Sequence, residues 1–250
     1  MPAVKVSADA RLPILGIRAG DLPRRCLVVG DPARAEQAAA RLENVRELGR
    51  TREYVTFAGS HRGNKVAVVS HGVGSPGAAV CFEELFRAGA ELVIRAGTAG
   101  GMQDKVLDGH LVVATAAVRS DGYTPQVVPP EFPAVAEPRV IAELVARATT
   151  AGIEVHQGIV LTLASFYPHA VLGSPLRMWQ EAGVVAVEME VAALFVLASL
   201  HGSAAGAILV IDGNSLVEKD DTMEGYNPHR EIVHQAVEVM IGIALDALVA

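Results

Sequence analysis

Short apolar runs, rich in β-branched residues, alternate along the chain with longer segments of Ala, Leu and Glu. The runs at 26–29, 55–58, 65–70, 92–95, 111–117, 158–162, 184–187 and 207–211 have the length and the glycine, proline or polar boundaries of strands. Helical patterns occupy 33–42, 78–88, 138–152, 177–183, 190–201 and 228–249. Pro32 suits the first turn of the first of these, where its missing N–H costs nothing. His61-Arg62-Gly63-Asn64 reads as the turn between two paired strands, and 72–76 and 97–101 as glycine-rich loops. The last helix places Ile232, Val233, Ala236, Val237, Met240, Ile243 and Ala244 on one face. The proline-rich stretch 125–138 is expected to form a loop or a lid. Because the strands lack the alternation of a solvated sheet, they predict a mostly parallel or mixed sheet covered by helices on both faces. Ligands then bind at the carboxyl ends of the strands.

The chain has 250 residues, of which 51% are hydrophobic and 20% charged, enough for one large core in a single domain, 1–250. A net charge of -7 argues against nucleic acid as a partner, since phosphate neutralisation needs a basic face. Only 4% of residues are aromatic, which disfavours base stacking as a binding mode. Cys26 and Cys81 sit in apolar stretches and read as small buried hydrophobes. The first residues alternate polar and apolar without a signal-peptide core, and no apolar run approaches the ~20 residues of a membrane span. A soluble cytoplasmic protein without membrane partners is expected.

Three groups of residues collect at the expected strand ends. Arg34 follows Gly30-Asp31-Pro32, Arg52 precedes the strand at 55, and Arg95 ends a buried run beside Gly97 and Thr98. A guanidinium in such a place is costly unless paired. Its fork of donors matches phosphate or carboxylate, and helix N-termini add N–H groups to such a site. A structural ion pair with Glu53 or Glu84 is the alternative. Val187-Glu188-Met189-Glu190 follows another apolar run. A carboxylate there can accept hydrogen bonds from the two hydroxyls of a sugar, or it can cap the following helix. Asp212 closes the run 207–211; desolvated, it could hold a proton near neutral pH as a general acid. An Asx turn leading into Gly213-Asn214 is the alternative.

Four segments carry a resemblance: Gly30-Asp31-Pro32-Ala33-Arg34, His71-Gly72-Val73-Gly74-Ser75-Pro76, Arg95-Ala96-Gly97-Thr98-Ala99-Gly100 and Val187-Glu188-Met189-Glu190. In this order they resemble the nucleoside phosphorylase family of trimeric or hexameric fold, which includes uridine, purine nucleoside and methylthioadenosine phosphorylases. The resemblance covers nearly the whole chain. It implies an α/β, three-layer, phosphorylase/hydrolase-like domain whose central mixed β-sheet is partly barrel-like and flanked by helices.

By position, the resemblance implies that Gly30, Arg34, Arg52, Arg95 and Thr98 bind inorganic phosphate, with Arg52 reaching a neighbouring subunit. Glu190 would hold the ribose hydroxyls with Met189 against the sugar. Phe166, Glu188 and Asp212 would face the base, and catalysis would fall to Asp212 and Arg95. The full arginine set favours phosphorolysis over hydrolysis. Ala170 and Leu172 stand where uridine phosphorylases carry a glutamine and an arginine, and Asp212 stands where purine-specific members protonate N7, so the reading is a purine nucleoside. The segment 131–136 instead resembles bacterial uridine phosphorylases. Ile14 replaces a histidine that reaches the 5′-hydroxyl, which points to a 5′-deoxy or 5′-methylthio substituent or to a weaker 5′ contact. Ile211 replaces a serine beside the purine aspartate. Gly77 replaces a serine that supports a monovalent cation, although Glu53 is kept; no resident cofactor or metal is implied, and phosphate is a co-substrate. The partners implied are nucleoside, phosphate and further copies of the chain, as a dimer or trimer of dimers. The alternatives are a uridine or methylthioadenosine phosphorylase, a nucleosidase, or a nucleoside-binding protein of the same fold.

Overall fold

The computed structural model describes residues 5–167, 169–216, 227 and 229–250. Among them one sheet of ten strands runs through the molecule. In chain order the elements are β1 (Arg25–Val29), α1 (Pro32–Ala39), β2 (Glu43–Thr51), β3 (Tyr54–His61), β4 (Asn64–Ser70), α2 (Ser75–Arg87), β5 (Leu92–Gly101), β6 (Leu111–Ser120), β7 (Ala134–Val135), α3 (Pro138–Thr150), β8 (Val155–Leu163), α4 (Leu176–Glu181), β9 (Ala186–Glu188), α5 (Val191–His201), β10 (Ala204–Asn214) and α6 (Glu231–Leu248). The strands lie in the order β10-β6-β8-β9-β5-β1-β4-β3-β2, and β10 also pairs with β5. That second pairing closes β5, β10, β6, β8 and β9 into a barrel, while β1, β4, β3 and β2 extend from it as an open sheet.

Helices cover both faces. Cys26 and Val28 of β1 and Ala207, Leu209 and Ile211 of β10 pack with α2 and α5. Leu27, Val29, Ile208 and Val210 point the other way, to α1, α3 and α6. Apolar residues on both sides of each strand therefore create the three layers. Helix α5 is buried from Val191 to Ala198, so it is apolar all round rather than amphipathic. It stops at Gly202, whose φ of 65° suits a residue without Cβ. The β3–β4 turn has positive φ at both Arg62 and Gly63, the geometry that joins two twisted antiparallel strands. Cys26 and Cys81 are buried and unbonded, and burial pushes the Cys26 thiol up to about 12.

Several sequence expectations need correction. Strand β2 was not expected, because Glu43–Thr51 is mostly polar; it is an exposed edge strand held by its ladder to β3. The glycine stretch 97–101 is not a loop but the end of β5, paired with β10 and, at Gly100 and Gly101, with β9. Glycine is needed here: a Cβ at Gly101 would lie 2.5 Å from the Val106 carbonyl oxygen. Ile232 is half exposed, so the buried face of α6 starts at Val233. The expected helix start at Pro228 lies outside the described residues.

The stretch 125–138, expected as a loop or a lid, is a fixed loop carrying the short strand β7. Arg119 on β6 donates to the carbonyls of Thr124, Val128, Pro129, Pro130 and Phe132 and to Thr124 Oγ1. Its guanidinium pins the proline-rich segment, and helix α3 begins at Pro138. Arg119→Ala is expected to cost about 2 kcal/mol or more of stability, because several carbonyls lose their donor together. Urea denaturation measures it; a loss under about 0.5 kcal/mol would mean that the prolines alone hold the segment.

Candidate functional site

The site lies where β5 changes partners. β1 pairs with β5 up to Val28 and Arg95, whereas β9 pairs with it only from Gly100. Between these points one edge of β5 has no neighbouring strand. The ends of β1 and β9 diverge there, and a cavity of about 1100 Å³ opens at the carboxyl edge of the sheet.

Gly30, Arg34, Arg95, Gly97 and Thr98 line one part of this cavity. Asp31 caps α1 by accepting from Ala33 N at 2.9 Å, so the helix start and Arg34 are held at the wall. Arg95 is only 4% exposed. Its Nη2 bonds Glu190 Oε2, its Nη1 lies 3.2 Å from His71 Nε2, and its Nε lies 3.5 Å from Glu188 Oε2. A Cβ at position 97 would sit 2.7 Å from Arg95 Nη1, so only glycine leaves room for the folded-back guanidinium. Burial first, and then the charge of Arg95, lower the pKa of Arg34, with Asp31 and Asp212 opposing. Guanidinium stays protonated regardless. The shift therefore reflects desolvation first and the neighbouring Arg95 charge second, and an anion in the cavity would relieve both.

Glu190 follows β9 and precedes α5. Its Oε1 accepts from Gly74 N at 2.5 Å, where the chain enters α2 with φ of 90°. Ser75 Oγ donates to the Met189 carbonyl at 2.8 Å, fixing Met189 beside the cavity. The four motif segments thus meet around one carboxylate and one guanidinium.

Glu188 borders the cavity but is committed elsewhere, against the expectation that it faces a base. Its Oε1 accepts from Thr162 Oγ1 at 2.5 Å, and its Oε2 from the backbone N–H of Glu190 and Val191 at 2.7 and 2.9 Å. It caps α5 and balances Arg95. Burial, with the charge of Glu190 adding, raises its pKa, while Arg95 opposes.

Asp212 is 7% exposed and lines the cavity. The β10–β5 register skips it: Ile211 pairs with Ala99 and Gly213 with Gly100. Asp212 is therefore the extra residue of a β-bulge, a device that re-aims a side chain. Arg230, paired with Asp108, donates to the Asp212 carbonyl at 3.1 Å and secures the bulge. Phe166, with Tyr167 edge-on at 4.9 Å, faces this region with Leu163, Leu176 and Leu216.

Other expected residues are not brought together. Arg52 is exposed at the β2–β3 turn with φ of 54° and does not line its own chain's cavity. Ile14 packs against the α2–α5 core, its N–H donated to Glu84, away from the cavity wall. Ala170 and Leu172 are exposed and lie off the wall, Leu172 at 95%. Sequence reasoning missed Arg177 of α4, which does line the cavity. In the sequence His71 stands out only as part of a glycine turn. A histidine between the apolar run 65–70 and Gly72 was the available signal for His71; nothing local marks Arg177. Among the described residues no cluster of His, Cys, Asp or Glu could hold a metal ion, and no helix is long and apolar enough to cross a membrane.

Fold and cavity define an α/β protein with a charged crevice at the carboxyl edge of a partly closed mixed sheet. The chain belongs to the phosphorylase superfamily, whose family model matches residues 24–250. It is 36% identical to the purine nucleoside phosphorylase of Plasmodium vivax over 88% of each chain. It is 38% identical to the uridine phosphorylase of Treponema pallidum over 80% of this chain and 81% of that one. Among solved structures, purine nucleoside phosphorylase from Toxoplasma gondii in complex with immucillin-H superposes with a TM-score of 0.89 at 34% identity, covering 97% of this chain and 96% of the other.

If Glu188 is a structural brace, Glu188→Ala should cost about 3–5 kcal/mol, because it strips a buried guanidinium and a helix start of one partner. Guanidinium chloride unfolding measures this. A loss under about 1 kcal/mol would return Glu188 to the ligand side of the cavity.

Proposed function

We propose that the chain catalyses phosphorolysis of a purine nucleoside to the free base and ribose 1-phosphate, as a soluble cytoplasmic homo-oligomer with no resident cofactor. The observation that carries this reading is the placement of Arg34 and Arg95 on the wall of one cavity that Asp212, on its strand bulge, also lines. Two cations that disfavour each other's charge suit a dianion such as inorganic phosphate.

In this mechanism Gly30 and Thr98 complete the phosphate site with Arg34 and Arg95. Glu190 accepts from the ribose hydroxyls, and Met189 packs on the sugar. Arg95, bonded to Glu190, ties the phosphate and ribose positions together. As the C1′–N9 bond breaks, positive charge spreads over C1′ and the ring oxygen. The phosphate dianion stabilises that charge and then bonds to C1′ with inversion. Protonated Asp212 donates its proton to N7, so the base departs neutral, with Phe166 against it. Arg52, exposed at its turn, serves the cavity of a neighbouring copy in a dimer or trimer of dimers.

One observation favours uridine as a second reading. Arg177 lines the cavity and could donate to pyrimidine carbonyls in place of the residues missing at Ala170 and Leu172. Base release from inosine, adenosine, methylthioadenosine and uridine, each with and without phosphate, separates these readings. Phosphate-independent release would make the enzyme a nucleosidase instead.

Asp212→Asn is expected to lower turnover on 6-oxopurine nucleosides roughly 10²–10⁴-fold. A loss under ~10-fold removes Asp212 from the acid role. Arg95→Ala should raise the KM for phosphate far more than that for nucleoside, and equal rises would contradict its placement. Arg52→Ala and Asp212→Asn chains, each impaired alone, should regain activity when co-assembled; no recovery would place Arg52 outside the neighbour's cavity.

A further inference from the structure

We propose that His71 is the positioning residue that aims Arg95 at phosphate, accepting a hydrogen bond from it through a neutral ring that carries its proton on Nδ1. This rests on the phosphorolysis reading and adds to it a group outside the proposed ligand contacts.

His71 follows the last residue of β4, and its backbone N–H bonds the Val29 carbonyl at 2.9 Å, which sets it beside the end of β1. The side chain is fully buried. Its Nδ1 lies 2.9 Å from the Gly72 carbonyl oxygen. A carbonyl only accepts, so Nδ1 must carry the hydrogen. Its Nε2 lies 3.2 Å from Arg95 Nη1, which only donates, so Nε2 must present a lone pair. Both neighbours select the same tautomer, and a doubly protonated ring would set an N–H against the guanidinium. Burial and the Arg95 charge together hold the ring's pKa well below the usual range.

The rest of the neighbourhood fixes the ring. Phe82 meets it edge-on with centroids 5.2 Å apart. Gly72, with φ of +73°, turns its carbonyl back toward Nδ1, and a Cβ there would sit 2.8 Å from Glu53 Cγ.

The neutrality has a purpose. Glu190 and Glu188 already hold two sides of Arg95, and each carboxylate offsets part of its charge. A third carboxylate at position 71 would compete with an incoming dianion. Histidine orients the guanidinium on its remaining side without consuming its charge, and leaves one N–H on each terminal nitrogen for the ligand.

Two variants test this. His71→Phe keeps the ring and the Phe82 contact but removes the acceptor; His71→Gln restores an amide oxygen near the place of Nε2. Calorimetry with inorganic phosphate on the full-length protein is expected to show affinity falling roughly 10–100-fold in His71→Phe, as for loss of one hydrogen bond to a charged group, and largely recovering in His71→Gln. In the turnover assay the phosphate KM should rise in parallel while the nucleoside KM moves less than ~3-fold. Ring ¹⁵N NMR of the wild type at neutral pH should report a neutral Nδ1–H tautomer, a readout that needs neither turnover nor a variant. The proposal is overturned by an Nε2–H or protonated ring, by unchanged phosphate affinity in His71→Phe, or by equal rises in both KM values without rescue by glutamine. Wild-type protein that binds phosphate but does not turn over nucleosides would sink the phosphorolysis reading and leave the binding arm to judge His71. Wild type that binds no phosphate overturns both.

Discussion

A positive charge buried at the junction of a sheet is the constraint around which this molecule is organised. Water would hydrate a guanidinium strongly, so Arg95 can stay inside only if protein groups replace that hydration. The fold supplies them from distant parts of the chain: Glu188 at the end of β9 and Glu190 just past it, His71 beyond β4, and the empty side of Gly97. Each of these in turn holds something else. Glu190 ties down the entry to α2, and Glu188 starts α5, the helix that fills the core. The cavity and the hydrophobic core therefore share the same polar fastening.

The position of that charge follows from topology. β5 is asked to pair with β10 along its length, with β1 at its start and with β9 at its end. One strand cannot keep β1 and β9 on the same edge at the same level, so they part, and the gap between them is the crevice. Closing the barrel on one side and opening the sheet on the other creates a polar cleft without any long loop to build it.

Much of the architecture was legible in the amino-acid sequence, since strands buried on both faces announce themselves as apolar runs. What escaped detection lacked that signature. β2 pairs through its backbone while its charged side chains face water, and no periodicity marks it. Glycines 97, 100 and 101 looked like a loop because glycine is rare in strands, yet here the absent side chains admit Arg95, Ser215 and the Val106 carbonyl. Of the loop or lid expected at 125–138 the structure has the loop, and proline composition says nothing of the Arg119 that fixes it. At the site, motif order and the end of the run 207–211 pointed to Arg34, Arg95, Glu190 and Asp212, which line one cavity. The division of labour between Glu188 and Glu190 was not readable, because it depends on which oxygen meets Thr162, Gly74 or Arg95 across the fold. Arg177 reached the wall through the placement of α4, which short-range pattern does not specify.

The bulge at Asp212 has a wider effect on β10. Before it, alternate residues divide cleanly, with Ala207, Leu209 and Ile211 serving one hydrophobic layer and Ile208 and Val210 the other. The inserted residue resets that alternation, so the strand runs in one reading frame through the core and in another at its ligand edge. The two frames answer to different demands. Packing fixes the first, and the cavity alone uses the second, which lets the side chain at position 212 change its chemistry without turning any core residue toward water. Removing one residue would fuse the frames and make every change at the edge a change in the core.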